Sequence, residues 1–228
     1  MSSTEFCYSV KYVELNGRNR GDPWSVRQTA VYHQISIETK RSRWIILQPS
    51  ESTRARLKSV LNGDYRQGRS GRSDCMIPHM VLLSTMVSNW QEYIEYLHSE
   101  LLKLVGHLDG PPMILFTIDD GSQDEKACFS TVGCKHPHDY PVSFVDCQEL
   151  QLLHHTLLRS SLLVESGLEV VKGCEDHCRK LASWKATTLC ESSLAEIAVY
   201  SAQMNSHRRD IHRVIEQLKG TSNLVCYH

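Results

Sequence analysis

From Phe144 to Trp184 the chain runs without a proline, and one helical face of that run is apolar. With Leu150 as the first core position of a heptad, the seam reads Leu150, Leu153, Leu157, Ser160, Val164, Gly167, Val171, Cys174, Cys178 and Leu181. Eight of these ten are apolar if the cysteines are counted. Ser143 can cap the run. A helix of this length reaches about 60 Å at 1.5 Å per residue, longer than a small compact domain needs. The pattern therefore predicts a coiled-coil-like arm. After a break at Ala186 to Cys190, a second helix starts at Ser192 or Ser193. It carries Leu194, Ile197, Met204, Ile211, Ile215, Leu218 and Val225 on one side.

The first 50 residues carry a different period. Phe6 to Leu15, Thr29 to Ile37 and Trp44 to Gln48 are rich in β-branched and aromatic residues, which suits short strands. Asn16 to Pro23 is a loop. Ser50 or Ser52 can cap a helix through Leu61, stopped by Asn62-Gly63. The Arg66, Arg69 and Arg72 stretch reads as a surface loop. Pro78 opens one helix with Met80, Leu83, Val87, Trp90, Ile94, Leu97, Leu101 and Leu104 on its buried face. Met113 to Ile118 suits a buried strand, and Asp119 to Tyr140 a polar loop. The fold class is α/β of the α+β kind: a small, mainly antiparallel sheet with packed helices, followed by two long C-terminal helices forming a stalk. The division is 1–142 for the N-terminal domain and 143–228 for the helical region.

Formal net charge is -1, which disfavours nucleic acid or anionic lipid as a partner. The Met-Ser-Ser-Thr-Glu-Phe start is no secretory signal, so the nine cysteines are expected as reduced thiols in the cytoplasm. The best apolar stretches, Val81–Val87 and Met113–Ile118, are far shorter than the roughly 20 residues of a membrane span.

Several groups could carry chemistry. Cys128, Cys134, His136 and His138 crowd one loop, and thiolate with imidazole suits Zn²⁺. Their spacing matches no known ligand pattern, so an incidental polar loop is the simpler reading. Cys174, His177 and Cys178 share a helix, where the cysteines fit the apolar seam as small hydrophobes. Asp119, Asp120, Asp124 and Glu125 form an acidic loop whose oxygens would suit Mg²⁺ or Ca²⁺, but the spacing is not that of an EF-hand loop and such loops are usually just solvated. No motif of a phosphate-binding loop, nucleophile elbow, zinc protease or dinucleotide site occurs. The chain reads as no enzyme, with no required cofactor.

Pro23-Trp-Ser-Val-Arg-Gln-Thr-Ala-Val-Tyr-His-Gln34, followed by Trp44-Ile-Ile-Leu-Gln-Pro49, resembles the N-terminal signature of the CorA-like transporter-domain proteins of filamentous fungi. Ser88 to Leu97 resembles that family's next helix, and Val142 to Gln151 the start of its long helix. The resemblance implies a cytosolic α/β body whose helices lead toward an oligomeric pore for Mg²⁺ or related ions. No spanning helix and no Gly-Met-Asn motif stand in this sequence, so it resembles the cytosolic part alone. Trp24, Arg27, Gln28, Tyr32, His33 and Trp44 are the signature residues. Their expected role is to organise the sheet, the two tryptophans packing and Arg27 bonding strand carbonyls. The expected partner is a second copy or another helical protein. An accessory protein or enzyme of specialised metabolism on the same fold, or a zinc-binding interaction module, is the alternative.

Overall fold

The computed structural model of the chain describes residues 3–18, 21–36, 38–39, 41–66, 75–108, 144–184 and 189–226. Three antiparallel strands form one sheet in the order β1 (Ser3–Leu15), β2 (Trp24–Ser36), β3 (Ser42–Leu47). Asn16 organises the loop between the first two. Its Nδ2 donates to the Asp22 carbonyl at 2.8 Å, and its Oδ1 accepts from the Arg18 amide at 2.8 Å. This is the side-chain mimicry of a turn that asparagine supplies. On β2 the residues Thr29, Val31, His33 and Ile35 are buried in strict alternation, so one face of the sheet is sealed.

Five helices follow: α1 (Glu51–Arg66), α2 (Ile77–Val87), α3 (Trp90–Leu108), α4 (Phe144–Trp184) and α5 (Leu189–Cys226). Ser50 caps α1, its Oγ accepting from the Thr53 amide at 3.2 Å. Asn62-Gly63 does not stop this helix, which runs on to Arg66. Glycine in a helix costs about 1 kcal/mol, a cost that neighbouring turns can offset.

The single helix expected from Pro78 onward is two. Ser88 is extended (φ −65°, ψ 156°) and Asn89 is left-handed at φ 66°. Asparagine tolerates that conformation better than other non-glycine residues. Here its Nδ2 also donates to the Val13 carbonyl at 3.1 Å, tying the break to β1. The apolar spacing hides the break because Val87 and Trp90 remain three residues apart. Helix α2 touches β1, α1, α4 and α5, and nine of its eleven residues are buried.

Every residue of the α4 seam is buried, from Leu150 at one end to Leu181 at the other. The covering comes from within the chain. A side-chain carbon at Gly167 would stand 2.5 Å from the Met204 methyl. Gly167 lies 17 residues before the end of α4 and Met204 15 after the start of α5 (184 − 167 and 204 − 189), so the two helices run antiparallel. Met86 of α2 also approaches the seam at Gly167, and Phe6 of β1 lies against Gly173 beside it. One core cluster therefore joins Val10 of β1 to Leu218 of α5.

Candidate metal centre

The register of the sheet sets Phe6, His33 and Trp44 side by side across three strands. Paired residues in neighbouring strands project from the same face, so this aromatic rung points at α2 and α4. His33 stacks on Trp44, with ring centroids 3.8 Å apart and planes 13° apart. Phe6 stacks in the same way on His177 of α4, at 4.5 Å and 12°. His79 of α2 enters the gap between them, 5.0 Å from His33 and 5.7 Å from His177.

Three imidazoles from three separate elements thus meet inside the protein. One ring nitrogen from each lies within 4.8 Å of the others. His33 Nδ1 and His79 Nε2 are 3.0 Å apart, and the far side of His79, Nδ1, is 2.7 Å from the Tyr8 hydroxyl. The Cys174 thiol of α4 lies near the Tyr8 hydroxyl. A chain of hydrogen bonds runs from β1 through α2 to β2. It leaves two buried ring nitrogens, Nε2 of His33 and Nε2 of His177, without a protein partner.

Burial governs the charge state here. It pushes His33 down to about 3, helped by the His177 ring. It pushes His177 down to about 4, helped by Lys180. His79 is held well below the ordinary histidine range by burial, then by His33 and His177. All three are neutral at physiological pH, so each keeps a lone pair to give. Burial likewise pushes the Cys174 thiol up to about 12 and the Tyr8 phenol well above its ordinary value. Neither is ionised. The set is nitrogen-rich and uncharged, which suits zinc-like ions and does not suit Mg²⁺, a cation that demands oxygen ligands.

The sequence-derived candidates are distributed differently. His33 and Trp44 of the signature meet at this centre. Trp24 packs instead against Tyr93 of α3, 5.4 Å between centroids. Arg27 does not bond strand carbonyls as expected but pairs with Glu14 at 3.5 Å on the solvent side. Gln28 is exposed, and Tyr32 points to the opposite face of β2 from His33. Cys174 and Cys178 are buried on the seam. Cys128, Cys134, His136, His138, Asp119, Asp120, Asp124 and Glu125 lie outside the described residues.

The triad is not legible in residue spacing. His79 stands in no motif, and His33 and His177 belong to unrelated groups. A signal was present, since each occupies a position that periodicity assigns to the core. His33 falls between Val31 and Ile35 on the alternating strand, His79 in the apolar run of α2, and His177 three residues after Cys174.

Residues 2–108 match the family of CorA-like transporters. The match spans β1 to α3 and so takes in His33, His79, Tyr8 and Trp44, while His177 lies on the long helix beyond it. No curated protein matches the chain. No described helix is long and apolar enough to cross a membrane. The similarity to CorA-like transporters therefore covers the sheet and the first three helices, and α4 packs over them outside the match.

Proposed function

We propose that the chain is a CorA-like body that works by association on the cytoplasmic side rather than by catalysis. Its partner is a second copy of itself, and Mg²⁺ modulates the assembly. The observation that carries this reading is on α4. With the seam already covered, the helix still presents Leu152 and Leu162 at 69% and 66% exposure, together with Val145 and Leu158. Leu158 and Leu162 lie one turn apart on the side away from the seam. Exposed apolar residues clustered on one element mark an interaction surface more often than singly scattered ones do. The match to a transporter family, whose pores are oligomeric by the resemblance described above, supports self-association over a foreign partner.

Light scattering across a wide concentration range, with and without Mg²⁺, tests this. The expected result is a dimer or higher species that Leu158→Glu with Leu162→Glu converts to monomer. A protein that stays monomeric at high concentration under both conditions overturns the reading.

A further inference from the structure

We propose that His33, His79 and His177 form a zinc(II)-binding site, one ring nitrogen from each closing three corners of a tetrahedron and water taking the fourth. The inference stands apart from the association reading, because it concerns the interior and not the outer face of α4.

Geometry is the first support. Zinc–nitrogen bonds of 2.0–2.1 Å in a tetrahedron set ligand nitrogens about 3.3 Å apart. The His33–His79 pair, at 3.0 Å, is already close to that spacing. The full set spans at most 4.8 Å, so closure asks His177 to move by about 1.5 Å or less.

The surroundings are the second support. Ligand histidines are commonly held by a hydrogen bond to the nitrogen that does not face the metal. Tyr8 makes that bond to Nδ1 of His79, which leaves Nε2 facing inward. Trp44 and Phe6 lie flat against His33 and His177 and fix the planes of those two rings.

A purely structural role explains less. In a hydrogen-bond relay the Tyr8 hydroxyl donates to His79 Nδ1, and His79 Nε2–H donates to His33 Nδ1. His177 then contributes nothing to the relay, yet it is buried with Nε2 unpartnered, at a cost on the order of 1–3 kcal/mol. Leucine or methionine would fill its place without that cost. A metal gives His177 a reason to be histidine.

The choice of ion follows from the donors. Three neutral imidazoles select Zn²⁺ and Co²⁺ over hard cations. Three protein ligands with one open corner is the arrangement of zinc sites that keep an exchangeable water. An ion there would also bind β2, α2 and α4 to one another, so it would favour the folded chain by mass action.

The test uses the full chain, stripped with a chelator and titrated with ZnCl₂ by calorimetry. Elemental analysis then reads the stoichiometry after gel filtration. One zinc per chain is expected, with a rise in Tm, and excess Mg²⁺ should not compete. His177→Gln should weaken binding at least tenfold, and Tyr8→Phe by about tenfold to a hundredfold as an outer-shell change. Cys128→Ser with Cys134→Ser should leave the stoichiometry at one. If His177→Gln fails to fold, the visible spectrum of the Co²⁺-loaded wild type decides. A tetrahedral spectrum without a thiolate charge-transfer band, as three imidazoles and a water give, supports the site, and a thiolate band overturns it. Absence of zinc uptake by the folded wild type also overturns it, as does uptake lost only in the cysteine variant.

Discussion

The methyl end of Met204 lies against the bare backbone of Gly167, where α5 packs on α4. A side-chain carbon at position 167 would come within 2.5 Å of that methyl and 3.3 Å of the Met86 sulfur. Both obstacles are ends of flexible side chains, which can give way. Alanine also favours the helix over glycine by about 1 kcal/mol. Gly167→Ala should therefore change stability little. Gly167→Leu cannot be relieved by methionine movement alone and should cost about 1–3 kcal/mol, as overpacking does. Urea unfolding of the two variants beside the wild type separates the outcomes. Equal loss in both would show that α4 and α5 approach at that point without slack.

Trp44 covers His33 at the edge of the sheet, on the shortest strand. Trp44→Ala should remove the stack and expose the His33 ring, with a loss of about 2–3 kcal/mol. That is below the range for fully buried aromatics because Trp44 is only half-buried. Trp44→Phe should recover much of it. Thermal unfolding followed by circular dichroism reads both.

Asn89 holds a left-handed conformation and a bond to Val13 at once. Asn89→Gly keeps the first and loses the second, so it should cost about 1 kcal/mol. Asn89→Ala loses both and should cost about 2 kcal/mol. The order of the two denaturation midpoints is the check, and a reversal would mean that the left-handed conformation costs alanine nothing at this position.

The metal-free protein should lose stability in mild acid. His33, His79 and His177 bind protons less readily when folded than when unfolded, where they titrate near 6.5. The unfolded chain thus takes up more protons as pH falls below about 6.5, and stability rises with pH across that window. The loss continues down toward the folded values, about 3 for His33 and about 4 for His177. Chelator-treated protein should show a falling Tm from pH 7 to pH 4.5. Replacing His177 with glutamine should flatten that fall. A pH-independent Tm in the wild type would contradict the buried, neutral assignment.

Much of the architecture can be read from residue spacing. The two long helices and their seam follow from heptad periodicity alone, because ten positions at steps of three and four leave few other ways to bury them. What the seam packs against could not be read that way. A heptad says that a face will be covered but does not name the cover, and here α5, β1, α3 and α2 share it. The break at Asn89 was invisible for a related reason, since one residue in a left-handed turn can preserve the apolar step while redirecting the chain. The histidine centre required three elements to be placed in space. Each imidazole by itself is only a polar residue in an apolar pattern, and 46 residues separate even the first two.

That separation bears on the order of folding. Contacts between distant segments form only after the intervening chain has been gathered in, and the entropy of closing those loops makes such pairings slow. Phe6, His33, His79 and His177 come from the beginning, middle and far end of the sequence, so their stacked rings assemble late. The approach of Trp44 to His33 is local, spanning one hairpin, whereas the approach of Phe6 to His177 requires nearly the whole chain. Tryptophan fluorescence in refolding should therefore report an early event at the sheet edge, separate in time from the later closure of α4 over it.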